Sequence, residues 1–296
     1  MIESSSFIFH PSSFQLGLIG YPLGHSLSPK IHDAALKACN LNGSYSLFPI
    51  QPDDKGGLKD LLSRVRSGEI TGLNVTIPHK QNVIPLLDEL TLTARAIGAV
   101  NTIYLRENKL IGDNTDSTGF LADLKRIFHP SSFTRSVHPF ALVLGAGGSA
   151  RAVVYALVND GWNVTIAARR LDQAQQLAYS FPNYQHLHRM QVQVLPITNF
   201  TDLRPSTFDM IVNTTPIGMT PNTDQSPLPE NIILSPHTII YDLVYNPRET
   251  KLVKDARTQG LSTTTGLGML IEQAALSFEL WTGHTPPREI LRMSVE

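Results

Sequence analysis

Two residues well separated in the chain, Lys80 and Asp116, carry side chains suited to moving a proton. Reduction of a carbonyl by hydride leaves a developing alkoxide that needs one. A lysine can stabilise that charge and donate the proton, and a nearby carboxylate can hold the lysine in place. Small hydroxyl and amide side chains gather in the same half of the chain, at places that read as loops. Ser26 and Ser28 flank Leu27, Asn74-Val75-Thr76 ends a strand ahead of Pro78, His79 and Lys80, and Asn101 follows Gly98-Ala99-Val100. Asp113-Asn114-Thr115 leads into Asp116. Such groups at strand ends suit a polyhydroxylated substrate. The same residues also have structural uses: Ser28 can cap the helix that Pro29 opens, Asp116 can cap the helix after it, and a lysine can be mere surface charge. Late in the chain, Gln273 lies in line with Met269, Leu276 and Leu280 on one helix stripe. A buried amide there needs a partner, which substrate or backbone can provide.

A second cluster points to a dinucleotide. Leu144-Gly145-Ala146-Gly147-Gly148-Ser149-Ala150 fits G-x-G-x-x-A, follows an apolar strand and opens a helix. Gly145 permits the tight turn, Gly147 lets the backbone approach a pyrophosphate, and Ala150 keeps the helix close to the sheet. Free N–H groups and the positive dipole end of the helix then face the phosphates. The next strand ends in Ala168-Arg169-Arg170, where an NAD enzyme would place a carboxylate. Two guanidinium groups suit a 2′-phosphate, so NADP is favoured over NAD, although Asp172 keeps NAD open. The bland alternative is a Gly-rich turn with two solvated arginines beyond it.

The elements that must carry these residues alternate between strand and helix. Strands are expected at Leu16–Gly20, Tyr45–Phe48, Ile70–Val75, Val100–Leu105 and Lys109–Gly112, with a hairpin turn at Glu107-Asn108. Helices are expected from Ser28 to about Cys39, at Leu58–Arg66, from Pro78 onward, at Thr91–Ile97 and at Ser117–Phe128. His129–Pro139 reads as a linker. Then come strands at Phe140–Leu144, Asn163–Ala167, Val192–Leu195, Met210–Asn213 and Thr238–Asp242. Helices run from the Gly-rich turn to about Asn159, at Leu171–Tyr179 and at Met269–Thr282, with a short one at the tail. The βαβ rhythm predicts a parallel sheet covered by helices on both faces. IFHPSSF occurs twice, at Ile8–Phe14 and Ile127–Phe133, which is no repeat array and reads as two insertions.

Composition narrows the class. A length of 296 residues suits about two domains. With 42% hydrophobic and 17% charged residues the chain is not disordered, and a net charge of −1 lacks the basic footprint of a nucleic-acid binder. No run reaches the ~20 apolar residues of a membrane span. The lone Cys39 allows neither an internal disulfide nor a thiolate cluster and reads as packing. His25 and His32, and His186 and His188, lack the spacing of a metal motif, so no metal is expected. The start of the chain has no basic, apolar leader, which makes a soluble cytoplasmic protein the expectation.

Eight ordered segments carry a resemblance to the shikimate dehydrogenase family: GYPLGHSLSPKIH (Gly20–His32), GLNVTIPHK (Gly72–Lys80), GAVNTI (Gly98–Ile103), GDNTDSTGF (Gly112–Phe120), GAGGSAR (Gly145–Arg151), NTTPIGM (Asn213–Met219), YDLVYNP (Tyr241–Pro247) and GLGMLIEQAA (Gly266–Ala275). The resemblance implies NADPH-dependent reduction of 3-dehydroshikimate to shikimate in aromatic amino-acid biosynthesis. It implies two α/β domains: a substrate-binding domain of residues 16–116 plus 271–296 after a tail of residues 1–15, and a Rossmann-type NADP-binding domain of residues 117–270. The C-terminal helix would return to the first domain. It assigns Lys80 and Asp116 as the catalytic pair and Ser26, Ser28, Thr76, Asn101 and Gln273, with Tyr245 nearby, to the substrate. NADP would meet Gly145, Ala146, Gly147, Gly148 and Ser149, then Ala168, Arg169 and Arg170, with the nicotinamide near Leu243, Gly266 and Met269. Where the family commonly has Asn-Arg-Thr, this chain has Ala168-Arg169-Arg170, and Arg170 stands in for the lost amide and hydroxyl. The implied partner is a small molecule, not nucleic acid or membrane, and monomer and homodimer both remain open. Two rivals stay in play: a quinate/shikimate dehydrogenase using NAD, and a non-catalytic dinucleotide-sensing module on the same fold.

Overall fold

The computed structural model describes residues 12–128, 139–180, 192–196, 207–230 and 232–296. Within them the chain builds two six-stranded sheets. The first contains β1 (Phe14–Gly20), β2 (Gly43–Pro49), β3 (Gly72–Val75), β4 (Glu89–Leu90), β5 (Thr102–Arg106) and β6 (Lys109–Asp113), in the order β2-β1-β3-β5-β6-β4. The second contains β7 (Phe140–Leu144), β8 (Asn163–Ala168), β9 (Val192–Pro196), β10 (Met210–Asn213), β11 (Ile239–Asp242) and β12 (Thr263–Thr265), in the order β12-β11-β10-β7-β8-β9. The described helices are α1 (Ser28–Ala38), α2 (Lys55–Arg66), α3 (Leu92–Ile97), α4 (Asp116–Ile127), α5 (Gly148–Asn159), α6 (Leu171–Tyr179), α7 (Lys251–Thr258), α8 (Leu267–Thr282) and α9 (Arg288–Met293).

The second sheet is parallel throughout, as the βαβ rhythm predicts. Its central strands are buried on both faces, which is why β7 and β10 read as unbroken apolar runs. The first sheet is mixed. β5 pairs antiparallel with β3 and with β6. The β5–β6 connection is the expected hairpin: Glu107 and Asn108 both take positive φ, at 49° and 62°, which matches the twist of the flanking strands.

Each sheet reverses its strand order beside a central strand, and such switch points open a crevice at the carboxyl ends of the strands. In the first sheet the reversal lies between β1 and β3. The loops leaving them are stitched together, with Thr76 N donating to Ile19 O and Tyr21 N to Ile77 O. In the second it lies between β7 and β10, where Thr214 Oγ1 donates to Leu144 O at 2.6 Å. Helix α8 joins the two cores. Met269 near its start is buried with the residues around β7 and β8, whereas Ile271, Ala274, Ala275, Phe278 and Trp281 pack with Phe14, Leu16 and Leu18 of β1. Trp281 Nε1 donates to Ile103 O across that contact.

Several local expectations change. β1 starts at Phe14, so Phe14 and Gln15 belong to the strand, and Phe14 is buried in the core. Phe14 closes the first IFHPSSF copy; residues 1–11 of the tail, the second copy beyond Phe128, most of the linker and His186 and His188 lie outside the described residues. The stretch from Pro78 forms turns and ends in one 3-10 turn at Ile84–Leu86. Its apolar residues anchor a loop, not a helix face. Ser28 is the first residue of α1 and makes no cap; the cap position is Leu27. Asp116 likewise begins α4 without capping it, because Asn114 Oδ1 accepts from the backbone N–H of Asp116 and Ser117. β4, α7 and β12 lie outside the expected elements: two are very short strands, and α7 follows the NP turn without a long apolar period. The stripe through Gln273 is buried only at its start, since Leu276 is half-buried and Leu280 exposed. Cys39 is partly buried against the first core. No described helix is long and apolar enough to cross a membrane.

Candidate active site

Freed from capping, the Asp116 carboxylate turns to the lysine. Lys80 Nζ donates to Asp116 Oδ2 at 2.6 Å, linking residues 36 apart in sequence. The pair is largely withdrawn from water, with side-chain exposures of 13% for Lys80 and 6% for Asp116. Lys80 sits in the turns after β3, and its backbone carbonyl accepts from Val100 N at 2.7 Å. Asp116 Oδ1 accepts from Asn101 Nδ2 at 2.9 Å. A desolvated ion pair held by a further hydrogen bond is a costly arrangement to build for stability alone.

Asn101 organises the wall behind the pair. Its Nδ2 lies 2.9 Å from Thr115 Oγ1 and 3.2 Å from Gln273 Oε1, while its Oδ1 accepts from Thr115 N at 2.8 Å. Gln273 thus reaches the same cluster from α8, and its Nε2 donates to Leu270 O. The close approach of α8 to α4 depends on Gly119. A Cβ there would stand 2.8 Å from Gln273 N and 2.9 Å from its Cβ.

The remaining predicted substrate residues line the β1–β3 side. Ser26 Oγ accepts from Ser28 N at 3.2 Å. Thr76 packs its methyl against Gly20, where a Cβ would meet it at 2.3 Å. Tyr245 is partly buried on the loop after β11, and burial pushes its phenol pKa up. Ser28 and Tyr245 both lie beside the buried phenol of Tyr45. Burial drives the Tyr45 pKa well above its usual value, the Ser28 hydrogen bond opposes this, and Tyr245 adds to it.

A buried network that residue types and spacing do not foretell links the two groups. Tyr45 donates to Asn74 Oδ1 at 2.9 Å, and Asn74 Nδ2 donates to Asn101 O and to Ser277 Oγ. Ser277 and Thr102 share a hydrogen bond, and Ser277 Oγ also donates to Gln273 O. One signal was available: Gln273 and Ser277 are four apart on one face of an apolar helix. Tyr45 carried the weaker signal of an inward-facing aromatic on an edge strand.

The second sheet presents the Gly-rich loop to this cluster. Gly145 holds φ +112°, open to glycine alone at low cost, and a Cβ would strike Thr214 Oγ1 at 2.7 Å. At Gly147 a Cβ would point into open space, so glycine leaves that space to a ligand. No side chain caps the α5 N-terminus. Gly148 lies against Lys80, and Ser149 Oγ accepts from Lys80 Nζ at 3.3 Å. Ala146 is half-buried beside the core. Ala168 is buried in β8, so its side chain faces the core and only its backbone faces the crevice edge. Arg169 and Arg170 are exposed, and neither forms an ion pair among the described residues. Leu243 and Gly266 touch, for a Cβ on Gly266 would lie 2.1 Å from Leu243 O, while Met269 is buried beneath them. This donor set fits a dinucleotide phosphate: uncapped helix N–H groups, an open glycine and two unpaired guanidinium groups. Asp242 anchors the Leu243–Tyr245 loop by accepting from Asn213 Nδ2, Val244 N and Thr250 Oγ1, and burial raises its pKa to about 6. Among the described residues no cluster of His, Cys, Asp or Glu is placed to hold a metal ion.

The chain is similar to known proteins over nearly its whole length. Residues 18–103 match the model of the shikimate dehydrogenase substrate binding domain, and residues 266–296 that of the shikimate 5'-dehydrogenase C-terminal domain. The chain is 38% identical over 282 residues to a shikimate dehydrogenase (NADP(+)) of Shouchella clausii, covering 95% of this chain and 97% of that protein. A shikimate 5-dehydrogenase structure from Thermus thermophilus, in complex with NADP(H) and shikimate, superposes with a TM-score of 0.80 at 34% identity, covering 95% of this chain and 98% of that one. A quinate dehydrogenase from Corynebacterium glutamicum in complex with NAD superposes with a TM-score of 0.81 at 32% identity, covering 95% and 98%.

Proposed function

The chain belongs to the shikimate dehydrogenase family, and from that membership we propose that Lys80 and Asp116 serve the NADP-linked interconversion of 3-dehydroshikimate and shikimate. The chain is an oxidoreductase acting on a CH–OH group, in the route to aromatic amino acids. The observation that carries the site is the buried Lys80–Asp116 pair, placed where the carboxyl ends of both sheets meet the dinucleotide loop.

Ser26, Ser28, Thr76 and Tyr245 hold the carboxylate and hydroxyls of the substrate, and Gln273 and Asn101 fix the end nearest the lysine. Bound NADPH supplies the hydride. Lys80 gives a proton to the ketone oxygen in reduction and takes it back in oxidation, and Asp116 holds the ammonium in place. The uncapped start of α5, with Gly145 to Ser149, receives the pyrophosphate. Arg169 and Arg170 pair with the 2′-phosphate, Ala168 contributes backbone only, and Leu243, Gly266 and Met269 shape the nicotinamide wall. The buried partners of α8 support a substrate domain of residues 16–116 plus 271–296 and a cofactor domain of residues 117–270. The protein acts in the cytoplasm, as a monomer or homodimer.

Shikimate oxidation followed at the nicotinamide absorbance, with NADP and NAD in parallel, tests this reading. Parent protein should prefer NADP, and Lys80→Ala should lose turnover by orders of magnitude with a modest change in KM. Near-normal turnover in that variant sinks the assignment. Quinate oxidation with NAD is the second reading, favoured by the close superposition on the quinate dehydrogenase and by exposed Asp172 beside the arginines. A higher kcat/KM for quinate with NAD would select it.

A further inference from the structure

We infer that Ser149 is a positioning residue for the reaction, its hydroxyl holding the Lys80 ammonium so that the dinucleotide loop and the catalytic pair form one unit. The inference rests on the reading of Lys80 as the proton carrier. An ammonium has three N–H donors. Asp116 Oδ2 takes one at 2.6 Å and Ser149 Oγ a second at 3.3 Å. These acceptors come from different sheets, Asp116 from beyond β6 and Ser149 from beyond β7. The third donor is left for an incoming substrate oxygen.

The rest of the lysine is held by the same helix. A Cβ on Gly148 would stand 2.9 Å from Lys80 Cβ and 3.1 Å from its Cδ, so only glycine lets the first turn of α5 lie against the lysine stem. Lys80 O accepts from Val100 N, and Val100 lies three residues beyond the end of α3. The last carbonyl of α3, Ile97 O, accepts from Arg151 Nη1 at 3.4 Å. Three residues in the first turn of α5, Gly148, Ser149 and Arg151, therefore reach the lysine along its stem, at its tip and, through α3, at its backbone. The Ser149 side chain is not needed for the turn, since phosphate recognition at a helix start uses backbone N–H groups. Among the described residues its hydroxyl has Lys80 as its hydrogen-bond partner.

Two measurements on Ser149→Ala and Ser149→Thr test this. In steady-state shikimate oxidation, Ser149→Ala should lower kcat about tenfold and change KM for shikimate and NADP less than about twofold, the mark of a lost contact to a charged group in the reacting complex. Ser149→Thr keeps the hydroxyl and should recover most of the loss. An unchanged kcat in Ser149→Ala, or a threonine variant as slow as the alanine one, overturns the inference. In urea unfolding of the cofactor-free protein, Ser149→Ala, Lys80→Met and the double variant form a cycle. The double variant should depart from the product of the single effects by about fivefold in the unfolding constant, and additive effects overturn the contact. A parent protein that fails to oxidise shikimate overturns the reading of the reaction instead, and the unfolding cycle still decides the contact.

Discussion

His32 makes the stability of this protein depend on pH in a calculable way. The side chain is fully buried in α1, stacked on Tyr45 with ring centroids 4.3 Å apart and planes 1° from parallel, with Trp281 at 5.4 Å. Neither ring nitrogen has a hydrogen-bond partner of good geometry. Burial lowers its pKa to about 3, with the nearby Asn74 amide opposing weakly. In the unfolded chain the ring titrates near pH ~6.5. Above that value both states are neutral and the full stability is present. As pH falls below it, the unfolded chain takes up a proton that the folded chain refuses until about pH 3, so stability is lost at up to ~1.4 kcal/mol per unit. By about pH 4.5 the loss reaches roughly 3 kcal/mol, a large share of the ~5–15 kcal/mol of a typical domain. The assay is urea unfolding at several values between about pH 8 and pH 4.5, for the parent and for His32→Phe. Phenylalanine keeps a flat ring on Tyr45 and removes the titration, while the carboxylates common to both proteins cancel. The parent should lose about 3 kcal/mol more than the variant over that range. Equal pH dependence in the two proteins would show that His32 is not the titrating group.

Three further outcomes follow from the same contacts. Lys80→Met keeps the stem and removes the ammonium, so kcat for shikimate should fall about 10²–10⁴-fold while shikimate affinity by calorimetry changes little. Gly119→Ala forces a Cβ to 2.8 Å from Gln273 N, so α8 must shift from α4; thermal unfolding should show a loss of about 1–3 kcal/mol, and KM for shikimate should rise as Gln273 moves. Arg169→Ala combined with Arg170→Ala should weaken NADP binding by about tenfold or more and leave NAD binding nearly unchanged, read by equilibrium titration of each nucleotide.

Much of the scaffold is legible from local pattern. The apolar run Phe140–Leu144, the helix Leu171–Tyr179 and the strand Met210–Asn213 lie where the periodicity puts them. The hairpin at Glu107-Asn108 is equally local, since two residues set its geometry. Errors gather where polar residues have more than one use. Ser28 and Asp116 have the chemistry of helix caps, yet neither caps, because Asn114 serves the start of α4 and Leu27 occupies the cap position of α1. Proline at residue 78 resembles a helix start and instead opens turns that carry Lys80 to the crevice.

Residue type and local order already set the chemistry on offer: a lysine, a carboxylate, a set of small polar groups and a Gly-rich turn between an apolar strand and a helix. Those features depend on residue type and near-neighbour spacing, which are properties of the chain alone. Tertiary structure decided who meets whom. Asn101 finds Gln273 across 172 residues only because α8 returns to the first sheet, and Gly119 lets it come close. Tyr45, Asn74 and Ser277 become one buried network because unpaired polar groups in a dry interior must satisfy one another. Lys80 meets Ser149 because both sheets open their switch points toward the same crevice.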